Sequence, residues 1–459
     1  MRHRIRGAVP RTVVATILAA GCSGDLPVSP ADPPAASVSP PSSAWFVRLS
    51  TETRVQSITP AIAALGGSML HDFGSIGYVV VGGLDATSAS RLAATPGVEA
   101  VAPDYVLQWA PPRGAAIRGR RELPRRAARI RGTDQSGAFF YADQWNIRNI
   151  QGDAAWVQTP TGAGAIVCVL DTGIDPGHLD LLGKVDLSRS TSYVPAEPFI
   201  EDYNSHGTFV AAIIASNGVG TASIAPNATL CAVKVLDQTG SGSFSAVIAG
   251  LFHAALNGAD VANLSLSAYF PKNAPGADVL IDALTRTVRF ARDFGTQVVA
   301  AAGNDGIDLD RDGDFIVVPG EIRGIVGVAA NAPYNQAAFD ALASYSNFGG
   351  RLGGVDITAP GGDLLAGGDI RDLILSVCSR YVCGADGFYF FGAGTSFAAP
   401  HVAGVGALAE SSLAGNQCAG LLDACLFLNV DPIFAGPLPD SRYGAGRLNA
   451  LRSGRCDRN

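Results

Sequence analysis

Three short segments of this 459-residue chain carry side chains that can do chemistry together. They are Asp171-Thr172-Gly173, His206-Gly207-Thr208 and Gly394-Thr395-Ser396-Phe397-Ala398-Ala399-Pro400. A carboxylate, an imidazole and a hydroxyl in the order Asp, His, Ser is one of the chain orders that build a nucleophilic triad. In that chemistry the serine oxygen attacks an acyl carbon and the histidine takes its proton. The aspartate holds the imidazole in one tautomer.

The elements that must position these groups are legible around them. Asp171 ends the continuous apolar run Ala165–Leu170, as expected for the C-terminal end of a buried parallel strand. His206 opens the apolar, helix-like stretch Thr208–Ala215. Ser396 precedes Phe397–Ala409, rich in Ala, Gly and Val, which suits a helix packed on all sides. A serine at a helix start puts a developing oxyanion near free backbone N–H groups and the positive end of the helix dipole. A fourth residue, Asn304, ends the run Val298–Gly303, where its amide can donate to a tetrahedral intermediate. Losing one such donor costs about 10²–10³ in kcat. The other histidines, His3, His71, His178, His253 and His401, lack this setting.

Two rival uses of these residues fail. Asp-Thr-Gly also marks aspartic proteases, but those need a second Asp-(Thr/Ser)-Gly, and this chain has none. Dinucleotide binding needs a glycine turn after a strand, whereas Gly162-Ala163-Gly164 precedes its strand. Further strand-like runs at 228–236, 261–266, 297–302 and 324–330 alternate with helical stretches at 243–255 and 277–294. The fold class is therefore α/β, a parallel β-sheet with helices on both faces and its active site at the strands' C-terminal ends.

Composition bounds the setting. Residues 1–135 hold 15 Lys/Arg against nine Asp/Glu, and the remainder holds 18 against 31. An acidic catalytic half excludes nucleic acid as a partner, because phosphate binding needs clustered Lys/Arg. Arg2, Arg4, Arg6 and Arg11 precede the apolar stretch Thr12–Ala20, which is too short to span a bilayer and reads as an export signal over residues 1–22. Its end, Leu18-Ala19-Ala20-Gly21-Cys22, is similar to the lipobox of bacterial lipoproteins. That makes Cys22 the expected lipidation site and a lipid anchor the one membrane contact. The chain is expected in the cell envelope, at the outer membrane, or secreted after processing. Residues 23–44 form a Pro/Ser-rich tether. Residues 45–108 form a small α+β domain, with strands at 45–49, 78–82 and 97–101 and helices at 61–65 and 86–94. Residues 109–135, with eight arginines, read as a solvated linker open to proteolysis. Residues 136–459 form the α/β domain, expected to act as a monomer.

Together the four catalytic segments resemble the subtilisin-like (S8) serine protease family over residues 141–452. Ala225-Pro226, Ala232–Leu236 and Pro400-His401-Val402-Ala403-Gly404 support the likeness. The resemblance implies an endopeptidase acting on polypeptides through an Asp171-His206-Ser396 triad and an acyl-enzyme. Substrate would lie as an added strand between Gly240-Ser241-Gly242 and Ser265-Leu266-Ser267, with Ala302 and Gly303 lining the primary pocket. Residues 45–108 resemble the family's inhibitory (I9-type) propeptide, which makes the chain an autoinhibited zymogen. The alternative is a catalytically silent binding protein on the same scaffold. Three positions depart from the usual pattern: Ser267 for Gly, Phe209 for a second His, and Phe397 for Met.

The chemistry requires no cofactor. A structural calcium is suggested by Asp308, Asp310, Asp312, Gly313 and Asp314, spaced like the first half of an EF-hand loop, although Pro319 stands where its bidentate Glu belongs. Asp180 and Asn217 align with calcium ligands of the family. Export permits disulfides. Cys378 and Cys383 can close a small loop, as can Cys418 and Cys425. Cys168 and Cys231 either pair across neighbouring strands or stay as buried thiols, and Cys456 is the expected free thiol.

Overall fold

The computed structural model describes residues 43–113, 118–124, 133–350, 354–385, 387–415, 418–433 and 440–456. The N-terminal segment with Cys22 lies outside them. The small domain is β1 (Ala44–Leu49), α1 (Val55–Ala64), β2 (Ser68–Phe73), β3 (Tyr78–Gly82), α2 (Ala86–Ala93) and β4 (Val98–Pro103). Its antiparallel sheet runs β2-β3-β1-β4. Two short strands follow, β5 (Val106–Gln108) and β6 (Arg118–Glu122). The large domain begins with α3 (Trp145–Asn149) and α4 (Gly152–Gln158). Then come β7 (Ile166–Asp171), β8 (Thr191–Ser192), α5 (His206–Ile214), β9 (Thr229–Lys234), β10 (Ser241–Ser243), α6 (Phe244–Leu256), β11 (Val261–Leu264) and β12 (Ala268–Pro271). It continues through α7 (Ala277–Asp293), β13 (Gln297–Ala301), β14 (Phe315–Val318), β15 (Val326–Tyr334), β16 (Ala337–Leu342), β17 (Ile357–Pro360) and β18 (Ile374–Val377). It closes with α8 (Arg380–Cys383), β19 (Phe388–Gly392), α9 (Thr395–Ser412), α10 (Ala419–Phe427) and α11 (Ala450–Arg455).

The central sheet runs β16-β15-β13-β11-β7-β9-β8, with β17 beside β15. All its pairs are parallel except β15 with β16. The apolar runs therefore bury both faces, because successive side chains point to opposite sides. In β7, Val167 and Val169 join one core, with α5 and α9. Cys168 and Leu170 join the other, with α6 and α7. Helix α9 crosses the first core with Thr395 through Glu410 all buried, which is why its sequence is so rich in Ala, Gly and Val.

The small domain docks on α6 and α7. Phe73 stacks on Phe252, with ring centroids 5.0 Å apart. Tyr78 donates its hydroxyl to Asp282 Oδ2 at 2.6 Å. Asp104 takes hydrogen bonds from Ser245 N and Oγ at the start of α6. Strand β2 escaped sequence reading because its run Ser-Met-Leu-His-Asp-Phe shows neither a strict polar–apolar alternation nor an apolar block. The linker expectation is corrected for Arg118–Glu122. This strand pairs antiparallel with β19 and completes a three-stranded sheet with β18. The Arg120 guanidinium lies 3.6 Å from the Phe388 ring centre, so aromatic faces on β19 hold what looked like a solvated charge run.

Cys168 and Cys231 form a disulfide, since they face each other in register across β7 and β9 with Cα atoms 4.4 Å apart. Cys378 and Cys383 pair as expected. The remaining assignment is corrected: Cys425 pairs with Cys456, because α10 and α11 bring residues 31 apart together, and exposed Cys418 is the free thiol. Replacing both Cys168 and Cys231 with Ala removes a bridge spanning 63 residues. Urea unfolding should show a loss of about 4 kcal/mol.

Candidate active site

Helix α5 follows β8 in the chain but packs against β7, so His206 at its start meets Asp171 deep in the fold. His206 Nδ1 lies 2.8 Å from Asp171 Oδ1 and 3.0 Å from Oδ2. Both side chains are almost wholly buried. Asp171 accepts only, so Nδ1 carries the proton and Nε2 is left as a base. Nε2 has no hydrogen-bond partner among the described residues. Burial opposes the imidazolium, but the charge and hydrogen bond of Asp171, with Asp202 behind it, raise the pKa above the usual 6.5.

Asp202 is the residue that sequence reading missed. Its buried carboxylate takes hydrogen bonds from Thr172 Oγ1, Asn204 N, Ser205 N, Thr208 N and Thr208 Oγ1. It caps the start of α5 and ties it to the Asp171 loop. Thr172 Oγ1 in turn accepts from Gly207 N. The available signal was an acidic residue four positions before the helix start, where a carboxylate satisfies free N–H groups. Gly207 permits the approach, since a Cβ there would stand 2.1 Å from the Gly173 carbonyl. Lys234, fully buried at the end of β9, pairs with Glu197 at 2.7 Å and donates to the Thr172 carbonyl.

The nucleophile end is equally constrained. Helix α9 packs against α5, and the Phe397 ring lies 5.7 Å from the His206 ring, centroid to centroid. Ser265 Oγ donates to the Ser396 carbonyl at 2.7 Å. Asn304 Oδ1 accepts from both Thr395 N and Thr395 Oγ1 at 2.8 Å. Those two bonds orient the amide at the first turn of α9 and leave Nδ2 as its donor. Gly303 needs its positive φ of 103°, and a Cβ there would meet Asn347 Nδ2 at 2.3 Å. His401, the rival histidine nearest the nucleophile, is structural. It is held between Asn146 Nδ2 and the Phe397 carbonyl, and burial pushes it down to about 4.

A groove runs from the small domain towards this centre, and the chain's own tail lies in it. Strand β5 pairs antiparallel with β10, Gln108 opposite Ser241 and Leu107 opposite Gly242. Trp109 N and Ala110 N donate to the Gly240 carbonyl at 3.0 and 3.1 Å. Across the groove, Ser267 N donates to the Trp109 carbonyl at 3.0 Å. Leu266 is buried, as is Ala302, which sits in a small apolar cluster with Val317 and Leu309.

The sequence profile of the peptidase S8 family, the subtilase family, matches residues 162–446. The chain belongs to the subtilase family. Over 276 residues it is 35% identical to the thermophilic serine proteinase of Bacillus sp. (strain AK1), covering 60% of this chain and 59% of that one. It is 38% identical over 268 residues to subtilisin Savinase of Lederbergia lenta, covering 58% and 83%. The crystal structure of the epidermin leader peptide processing serine protease of Staphylococcus aureus shares the fold. It has a TM-score of 0.72 at 20% identity, over 90% of this chain and 98% of that one.

Two departures from the usual subtilase pattern turn out to be one contact. Phe209 and Phe397 stack with centroids 4.3 Å apart, so the aromatic that replaces a histidine packs on the aromatic that replaces a methionine. The metal expectations meet a different geometry. Lys272 bonds Asp312 at 3.1 Å, Arg311 lies 3.6 Å from Asp308, and Asp308 Oδ1 accepts from Asp310 N at 3.1 Å. Among the described residues no three His, Cys, Asp or Glu side chains gather into one cluster, and Asp308 and Asp312 face Arg311 and Lys272. Asp180 is wholly buried and is satisfied by protein donors: Ser216 Oγ, Val219 N, Gly220 N, Thr221 N and Tyr389 Oη. Asn217 gives its amide to the carbonyls of Leu179 and Leu182. The Asp180 carboxylate is thus filled by protein donors, while the buried Asn217 Oδ1 has no hydrogen-bond partner among the described residues. Asp180→Asn, which turns an acceptor towards those donors into an NH₂ group, should cost about 3 kcal/mol in urea unfolding.

Proposed function

We propose that this chain is an exported serine endopeptidase made as an autoinhibited zymogen. The observation that carries the reading is the buried Asp171–His206 pair, with a free Nε2 and with the His206 ring against Phe397 in the first turn of the helix that carries Ser396. His206 Nε2 takes the Ser396 proton as Oγ attacks the scissile carbonyl. Asn304 Nδ2 and the free N–H groups at the start of α9 receive the oxyanion. His206 then passes the proton to the leaving nitrogen, and water releases the acyl group by the same steps. Polypeptide is the substrate, entering as a strand between β10 and residues 265–267 where the tail now lies.

The docked tail supports the role of residues 44–110 as an intramolecular inhibitor, since it fills the groove a substrate would use. Export rests on the N-terminal segment. A relative of 35% identity is the minor extracellular protease Epr of Bacillus subtilis, and no helix among the described residues is long and apolar enough to cross a membrane. Mass spectrometry of the exported protein should find a lipidated Cys22 at its N-terminus.

Ser396→Ala should abolish casein hydrolysis by the activated chain and its labelling by a fluorophosphonate. Persistent hydrolysis would remove Ser396 from the triad, and a native chain that does neither would favour the silent scaffold. The pH profile follows from His206, which must be neutral to accept a proton. Because its pKa is raised, kcat/KM should fall off on the acid side with a midpoint above 6.5. Asp171→Asn removes the raising charge, so that limb should move to lower pH while kcat drops about 10⁴-fold. Phe397 leaves no thioether beside the nucleophile. Activity should survive dilute hydrogen peroxide, and Phe397→Met should make it peroxide-sensitive.

A further inference from the structure

The tail leaves the groove through Ala110-Pro111-Pro112, and this composition bears on how the enzyme is freed. The register is fixed on the entry side. Val106–Gln108 pair with Ser241–Ser243, Trp109 Nε1 donates to the Gly242 carbonyl at 2.9 Å, and Ala110 N donates to the Gly240 carbonyl. At the exit, Asn204 Nδ2 donates to the Pro111 carbonyl at 3.1 Å. Asn204 stands two residues before His206, so the chain reaches the catalytic end at Pro111. The amide before it, Trp109–Ala110, has its N–H committed to Gly240. The next two peptide nitrogens, of Pro111 and Pro112, belong to rings.

We propose that this tail is a plug that Ser396 cannot cut, so that a second peptidase, acting at arginine, must open the groove. The proposal rests on the endopeptidase reading above. Hydrolysis breaks the acyl C–N bond only if His206 delivers its proton to the leaving nitrogen as the tetrahedral intermediate collapses. In Ala110–Pro111 and Pro111–Pro112 that nitrogen bears a ring carbon in place of hydrogen, and the ring crowds the path of the imidazolium. Proline also has no N–H for the groove wall to accept, and it restricts both its own φ and the residue before it. A displacement of about 1 Å in the reacting geometry is enough to cost about 10²-fold. Two consecutive imides deny the triad either bond it could attack. Immediately after them the chain offers an ordinary amide at Arg113, whose side chain is exposed. A peptidase selecting arginine, with water as the acceptor of the acyl group, would sever the inhibitor from the enzyme there.

The test uses the full chain, native and as Pro111→Ala/Pro112→Ala, each also with Ser396→Ala. Intact mass and N-terminal sequencing follow cutting, and casein hydrolysis follows activity. The native chain should stay uncut between Trp109 and Arg113 and gain casein activity only after brief trypsin treatment. The double variant should cut itself after residue 110 or 111 at least ~100-fold faster, and only when Ser396 is present. If the double variant does not fold, Pro112→Ala alone takes its place. A native chain that cuts itself at either proline bond overturns the proposal, as does a double variant that remains uncut. A trypsin-opened native chain that neither hydrolyses casein nor takes up a fluorophosphonate at Ser396 overturns the endopeptidase reading itself, and the plug with it.

Discussion

The site depends on one buried carboxylate that touches no substrate. Asp202 collects five donors from the loop after β7 and the first turn of α5, and so locks the carboxylate-bearing strand end to the imidazole-bearing helix. An ionised carboxylate is costly to bury unless its acceptor capacity is filled, and here filling it requires both segments to be in place at once. The 2.8 Å contact between His206 and Asp171 is a consequence of that constraint. Lys234 reinforces it from β9, and the glycine at 207 removes the one Cβ that would hold the helix away.

A second constraint is the open edge of the groove. Strand β10 and Ser267 hold the tail from Val106 to Ala110 through main-chain hydrogen bonds, a pairing that covers the edge without depending on side-chain identity. The edge of β19 is handled in the same way by Arg118–Glu122, where aromatic rings on the partner accept the arginine faces.

Two further groups of side chains satisfy one another. Phe209 and Phe397 stack on each other next to His206. Asp180 is satisfied by backbone N–H groups and a tyrosine hydroxyl. In both cases a side chain altered alone would leave a void or an unpaired charge.

By itself the sequence determined the parallel strands, the buried helix α9 and the identities of Asp171, His206, Ser396 and Asn304. Those follow from apolar runs and from residue types at element ends, which are local properties. The small domain's first, third and fourth strands were legible for the same reason, and β2 was not, because its six residues carry neither an apolar block nor a strict alternation. Only the tertiary structure decided what depends on distance across the chain. It paired Cys425 with Cys456 and left Cys418 free, because α10 and α11 meet. It drew the arginine segment onto β19 and turned Lys272 and Arg311 towards the aspartates of the expected calcium loop. It also revealed Asp202, whose role exists only once two loops converge on it. Periodicity records which face of an element is buried, whereas partners separated by long stretches of chain are selected by packing.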